Sequence, residues 1–80
     1  MNTLIELSRL FDSRPRPDAS DEAVAAWYRA KGRLHEQLAA ASGPDAAQES
    51  AYAAASYEHA RRLELAAFGT AAARDDLAAA

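Results

Sequence analysis

The sequence predicts an all-α protein, an antiparallel helical hairpin preceded by a short N-terminal amphipathic helix. Alanine, the residue with the best intrinsic helix propensity, supplies 23 of the 80 residues. A Ser-Gly-Pro-Asp sequence at 42–45 separates two long segments that contain no proline. Two helices joined by so short a connection must lie side by side and antiparallel. We therefore expect a single small helical domain.

The first predicted helix covers residues 3–12 and is amphipathic. Leu4, Leu7, Leu10 and Phe11 fall on one stripe of a helical wheel. A Pro/Arg linker follows at 13–19, because prolines remove backbone donors and favour extended geometry in the residues before them. This helix is expected to cover part of the hairpin.

The second predicted helix runs from about residue 20 to 41. Asp18 or Ser20 is suited to cap it, and Asp21 and Glu22 place negative charge in its first turn. Gly32 lies inside this segment although glycine costs a helix about 1 kcal/mol relative to alanine. We therefore expect close packing at Gly32.

The third predicted helix runs from about residue 45 to 67. Gly43 is expected in a left-handed conformation that ends the preceding helix, with Pro44 near the first turn of the next. Gly69 and Thr70 are expected to interrupt the third helix. Residues 70–80 would then form a short fourth helix or a frayed tail.

The turn also predicts which residues of the hairpin face each other, since opposed residue numbers should sum to about 87. Under this register the large side chains of Trp27 and Leu34 meet alanines, as interlocking helices require. Four further pairs follow: Tyr28 with His59, His35 with Tyr52, Arg29 with Glu58, and Lys31 with Ser56.

The hairpin leaves apolar residues uncovered, and these are the candidate partner-binding residues. Leu, Ile, Val and Phe together number only 12, which is little material for a core. The alternatives are a three-helix bundle and a four-helix core formed when two chains dimerise. The predicted function is a non-enzymatic interaction or adaptor protein that binds itself or another helical protein. The residues assigned to the interface are Leu4, Leu7, Phe11, Leu38, Leu65 and Phe68.

Composition disfavours most other classes of function. The chain has no cysteine and no apolar run long enough to span a bilayer, so we expect a cytoplasmic protein without membrane contact. No serine lies in a nucleophile motif and no glycine-rich phosphate loop is present. Proton transfer by the two Tyr/His pairs is the remaining enzymatic hypothesis. No catalytic residue, cofactor or metal ligand is predicted.

Basic residues provide the alternative function, a small DNA-binding transcriptional regulator. The calculated pI of about 5.2 weighs against broad contact with phosphates. Only a local patch of basic residues on the second helix and the linker could bind DNA, so nucleic acid is the less favoured partner. Its members would be Arg14, Arg16, Arg29, Lys31 and Arg33.

Two stretches carry resemblances. The prolines of the linker, Ala-Trp-Tyr at 26–28, Tyr52 and Tyr-Glu-His-Ala-Arg-Arg at 57–62 resemble small, uncharacterised actinobacterial helical-hairpin proteins. That resemblance implies fold and bacterial source, and no activity. The C-terminal Leu-Ala-Ala-Ala at 77–80 is similar to the ending of the bacterial trans-translation tag, which implies a degradation signal; the alternative is a frayed alanine-rich end.

Overall fold

Three helices form the described chain of the computed structural model, which covers residues 3–41 and 43–79, with side chains over 4–41 and 43–69. They are α1 (Thr3–Asp12), α2 (Asp21–Ala41) and α3 (Ala46–Ala79). No strand occurs in these ranges. The all-α fold, with an antiparallel hairpin and a short N-terminal helix, is confirmed.

The C-terminal end of α1 is fixed by hydrogen bonds to its last carbonyls, which have no partner within a helix. Ser13 donates its backbone N–H to Arg9 O at 3.0 Å and its hydroxyl to Leu10 O at 3.1 Å. The indole Nε1 of Trp27 also donates to Leu10 O, at 2.9 Å. This last bond ties α1 to α2 of the same chain.

The linker ends in a turn and a helix cap. Ala19 N donates to Arg16 O at 3.0 Å across Pro17, which closes the turn. Ser20 Oγ accepts a hydrogen bond from Ala23 N at 3.1 Å, so Ser20 is the residue that caps α2. The helix itself begins one residue later than predicted, at Asp21.

The hairpin turn differs from the predicted geometry. Gly43 does not adopt a positive φ. Its carbonyl instead accepts from Ala46 N at 3.3 Å, and the Asp45 carbonyl accepts from Glu49 N at 3.0 Å. The chain therefore reverses through a turn at 43–46 that needs no left-handed residue, and α3 begins at Ala46.

The third helix does not stop near residue 67. It continues through Gly69 and Thr70 to Ala79, so there is neither a break nor a separate fourth helix. One glycine costs roughly 1 kcal/mol, and the alanines on both sides of this pair favour continuation. The Leu-Ala-Ala-Ala ending at 77–80, for which a degradation signal and a frayed end were the alternatives, occupies the last helical residues and Ala80, which lies outside the described residues.

The core is narrow and lies along the hairpin seam, where α2 and α3 pack against each other. The buried apolar residues include two large ones, Leu10 at 8% exposure and Leu34 at 5%. The others are alanines 25, 53 and 60. Helix α1 packs on α2 and has no close backbone approach to α3 in the described chain. Within the same ranges, no helix has the length and apolar content needed to cross a membrane.

Candidate functional site

Four of the six predicted partner-binding residues lie exposed on the surface. Leu4 is 74% exposed, Phe11 50%, Leu65 55% and Phe68 73%. Leu7 and Leu38 are only half-buried and remain partly accessible. Large exposed apolar side chains that recur along a helix are a common feature of interaction surfaces. The exposed group thus lies on two elements, α1 and the C-terminal half of α3.

The C-terminal part of α3 extends beyond the hairpin. Helix α3 has 34 residues and α2 has 21. Because both helices start at the same turn and rise 1.5 Å per residue, α3 exceeds α2 by roughly 20 Å. We call residues 65–79 the α3 arm. The exposed side chains of Leu65 and Phe68 lie at its base.

A cleft separates α1 from α3, with α2 as its floor. Its volume is about 250 Å³. Lys31 and His35 of α2 supply polar atoms on one side of it. Its apolar walls are formed by Leu7, Leu10, Phe11, Trp27, Leu34 and Tyr52. We call this feature the α1–α3 cleft.

A chain of three polar side chains runs from α3 into this cleft. His35 Nδ1 lies 2.6 Å from Glu49 Oε2, and His35 Nε2 lies 3.1 Å from Lys31 Nζ. A lysine ammonium has donors only, so Nε2 must be the acceptor, and the ring proton is then on Nδ1, which donates to Glu49. Both nitrogens of a neutral imidazole are therefore occupied by protein groups.

Residues of α3 extend this polar chain. Lys31 Nζ also donates to Ser56 Oγ at 3.4 Å, and the buried Ser56 hydroxyl donates to Tyr52 O at 2.9 Å. Gln48 Nε2 donates to the Tyr52 hydroxyl at 2.5 Å. The polar groups are thus held by α2 and α3 together, which gives the cleft a defined polar side.

The Tyr/His pairs lie where the register predicts them. The rings of Tyr28 and His59 have centroids 4.2 Å apart, and those of His35 and Tyr52 are 5.4 Å apart. Both pairs meet edge to face, a favourable arrangement for aromatic rings. The two pairs therefore pack ring against ring in the seam between α2 and α3.

The predicted pairing of Arg29 with Glu58 is wrong. Arg29 instead binds Glu64, with Nη2 donating to Oε2 at 2.8 Å and Nε donating to Oε1. Glu58 is held by Arg61 on its own helix, with Nη2 donating to Oε1 at 2.8 Å. Glu58 pairs more easily with Arg61, one turn away on its own helix, than with Arg29 across the seam, because the nearer pairing has a lower entropic cost. This local competition explains the change.

The five basic residues of the alternative function do not converge on one face. Arg14 lies 5.8 Å above the Phe11 ring and, with Arg16, borders an open pocket beside Trp27 and Tyr28. Lys31 is in the α1–α3 cleft, whereas Arg33 borders a different pocket with Glu6 and Arg9. Arg29 is neutralised by Glu64.

Glu49 is a member of the polar chain that the register does not pair with His35. Glu49 lies in the first turn of α3, where a carboxylate suits the helix dipole without any histidine partner. The available signal was its spacing, because Glu49 lies three residues before Tyr52, which the register places beside His35. Lys31 is likewise four residues before His35 on α2. Two such neighbours on one face indicate a shared polar site.

Comparison with known proteins gives no relative from which a function can be transferred. No protein-family model matches the chain, and neither does any curated protein or solved structure.

Proposed function

We propose that this chain is a non-enzymatic interaction protein that self-associates as a homodimer through the α3 arm. The observation that carries the proposal is Phe68, a phenylalanine 73% exposed on a helix segment that extends past α2, the helix that packs against α3 in the described chain. Leu65, one turn earlier on the same face, is 55% exposed. An apolar pair at this spacing is suited to pack against another helix.

Energetic considerations also support self-association. Most helical stability in proteins comes from tertiary packing, and the arm extends past α2, so it gains stability if a second helix covers it. Full burial of a Leu or Phe side chain contributes about 1.5–3 kcal/mol, and a symmetric dimer buries each residue twice. The net charge of −3 offers little electrostatic resistance.

The geometry of the two histidines supports the non-enzymatic part of the proposal. A general base needs a ring nitrogen that can reach substrate. His35 has one nitrogen on Glu49 and the other on Lys31, whereas the ring of His59 packs against Tyr28. A cytoplasmic location, inferred from the cysteine-free composition, belongs to the same proposal.

Light scattering after size-exclusion chromatography, repeated over a dilution series, tests the proposal. We expect a dimer mass that falls toward the monomer mass on dilution, and a lower dimer fraction at each concentration for Phe68→Ser. Ala51→Ser, which introduces the same residue at an exposed position of α3 outside the arm, should leave the dimer fraction unchanged. A monomer mass at every concentration of the unmodified protein would refute self-association and leave a different helical protein as the partner.

DNA binding through the five basic residues is the weaker alternative, because those residues point to separate surfaces. Binding that depends on phosphate contacts is strongest at low salt. A gel-shift experiment at low ionic strength should show no complex with duplex DNA, and a salt-sensitive complex would favour the alternative.

A further inference from the structure

The α1–α3 cleft contains a positive charge whose observed partners are uncharged. Among the described residues, Lys31 Nζ contacts the neutral Nε2 of His35 and the hydroxyl of Ser56. The imidazole ring stands between Lys31 and the nearest bonded carboxylate, Glu49. An ammonium has three N–H donors, and these contacts use two of them. A third donor is therefore available to an anion.

The rest of the cleft is suited to an apolar body. Trp27, Leu34 and Tyr52 line it together with apolar side chains of α1. Its volume of about 250 Å³ lies just below the range of roughly 300–1,000 Å³ that is common for drug-sized ligands. The space therefore fits a smaller molecule, with one charged group at the Lys31 side.

We propose that the α1–α3 cleft binds a small apolar carboxylic acid. Its carboxylate accepts a hydrogen bond from Lys31 Nζ, and its aryl or alkyl body packs on Trp27 and Leu34. A charge-assisted hydrogen bond in a partly dry cleft is stronger than a neutral one, which favours the acid over the matching amide. A cationic ligand would be repelled by Lys31. This site is separate from the α3 arm and does not depend on self-association.

The polar chain prepares the cleft for this ligand. Glu49 fixes the ring of His35, and His35 and Ser56 together hold the ammonium of Lys31 in place. A lysine that is already held loses less side-chain entropy on binding than one that moves freely in solvent. Glu49 and His35 are thus positioning residues, and Lys31 is the group that touches the ligand.

Hydrocinnamate and its neutral analogue hydrocinnamide are suitable probes, because the pair differs in charge and hardly in shape. Trp27, the only tryptophan in the chain, lines the cleft and reports binding through its fluorescence. We expect saturable binding of hydrocinnamate with a Kd of roughly 0.1–1 mM, a value typical of a ligand of this size. Hydrocinnamide should bind about tenfold more weakly, since a charged hydrogen bond is lost.

Two variants with equal loss of charge complete the test. Lys31→Met should remove the preference for the acid, whereas Arg33→Met, on the same helix but outside the cleft, should retain it. Phe68→Ser should bind hydrocinnamate like the unmodified protein even where it no longer dimerises. No saturable change at Trp27 with hydrocinnamate, equal binding of acid and amide, or an equal effect of the two methionine variants would each overturn the proposal.

Discussion

The ring of Tyr57 occupies the space that a side chain at Gly32 would need. A Cβ atom at this position would lie 2.8–3.0 Å from three carbons of the ring, nearer than van der Waals contact permits. Burial of the ring, together with the nearby Glu36 carboxylate, raises the pKa of Tyr57. The glycine predicted to mark close packing thus lets α3 place an aromatic ring directly on the backbone of α2.

Gly32→Ala should destabilise the protein despite the better helix propensity of alanine. The gain in propensity is about 1 kcal/mol, whereas overpacking against the Tyr57 ring costs about 1–3 kcal/mol. Gly69→Ala is the matched control, because nothing lies within 4 Å of its added Cβ, and it should stabilise α3. Urea unfolding of both variants measures the difference. Equal stabilisation by the two alanines would show that Tyr57 adjusts freely.

His35 and Glu49 should be energetically coupled. Their side chains are only 16% and 22% exposed, and a hydrogen bond to a charged group in such surroundings contributes about 1.5–3 kcal/mol. A double-mutant cycle of His35→Ala and Glu49→Ala should therefore give a coupling energy above about 1 kcal/mol. The exposed pair of Arg61 and Glu58 serves as the reference and should couple more weakly. Equal coupling in the two cycles would contradict a structured polar chain.

Trp27→Phe should loosen α1 without opening the hairpin. The substitution removes the indole donor to Leu10 O, a bond of about 1 kcal/mol, and leaves an aromatic ring in place. Amide hydrogen exchange in α1 should accelerate about fivefold, with α2 and the hairpin part of α3 unchanged. Tyr28→Phe, which keeps the ring contact with His59, is the control. Uniform acceleration in all helices would mean that α1 is not a separate unit.

The ion pair across the seam should make stability depend on acid pH. The hydrogen bonds from Arg29 hold the pKa of Glu64 below its ordinary value of 4.5. Because the folded pKa is lowered, this stabilisation is present above about pH 4.5 and is lost as the pH falls through the folded pKa. Glu64→Gln should be less stable than the unmodified protein at neutral pH, with a difference that shrinks on acidification. In an Arg29→Met background the same change should have little effect, and an unchanged effect would contradict the pairing.

The hairpin could be predicted in detail because helix geometry is regular. Once the turn is placed, the fixed rise per residue sets which positions of the two helices lie level, and the contacts of Tyr28 with His59 and of Lys31 with Ser56 follow. The cap at Ser20 was predictable for a similar reason, since few residue types bond a free N–H at a helix start. These features depend on local chemistry and on one turn.

Features that depend on competition between partners were not predictable from the register. Arg29 reaches Glu64 because a long side chain spans more than one turn and because Glu58 is already engaged. Glu49 reaches His35 from a position three residues before the one that the register places opposite His35. Whether α3 continues past Gly69 depends on a free-energy difference of about 1 kcal/mol. This difference is too small for the end of the helix to be predicted from residue types alone. The α1–α3 cleft could not be predicted either, because its prediction requires knowing where α1 packs on the hairpin.

Contact between two copies at the α3 arm is measured most directly by isotope-filtered NMR on a mixture of labelled and unlabelled protein. The side chains of Phe68 and Leu65 should show nuclear Overhauser effects to the other copy, at concentrations where light scattering reports a dimer. Phe68→Ser should abolish these effects. A sample without any intermolecular effect from Phe68 or Leu65, whether monomeric or dimeric through another surface, would contradict the proposed role of the arm.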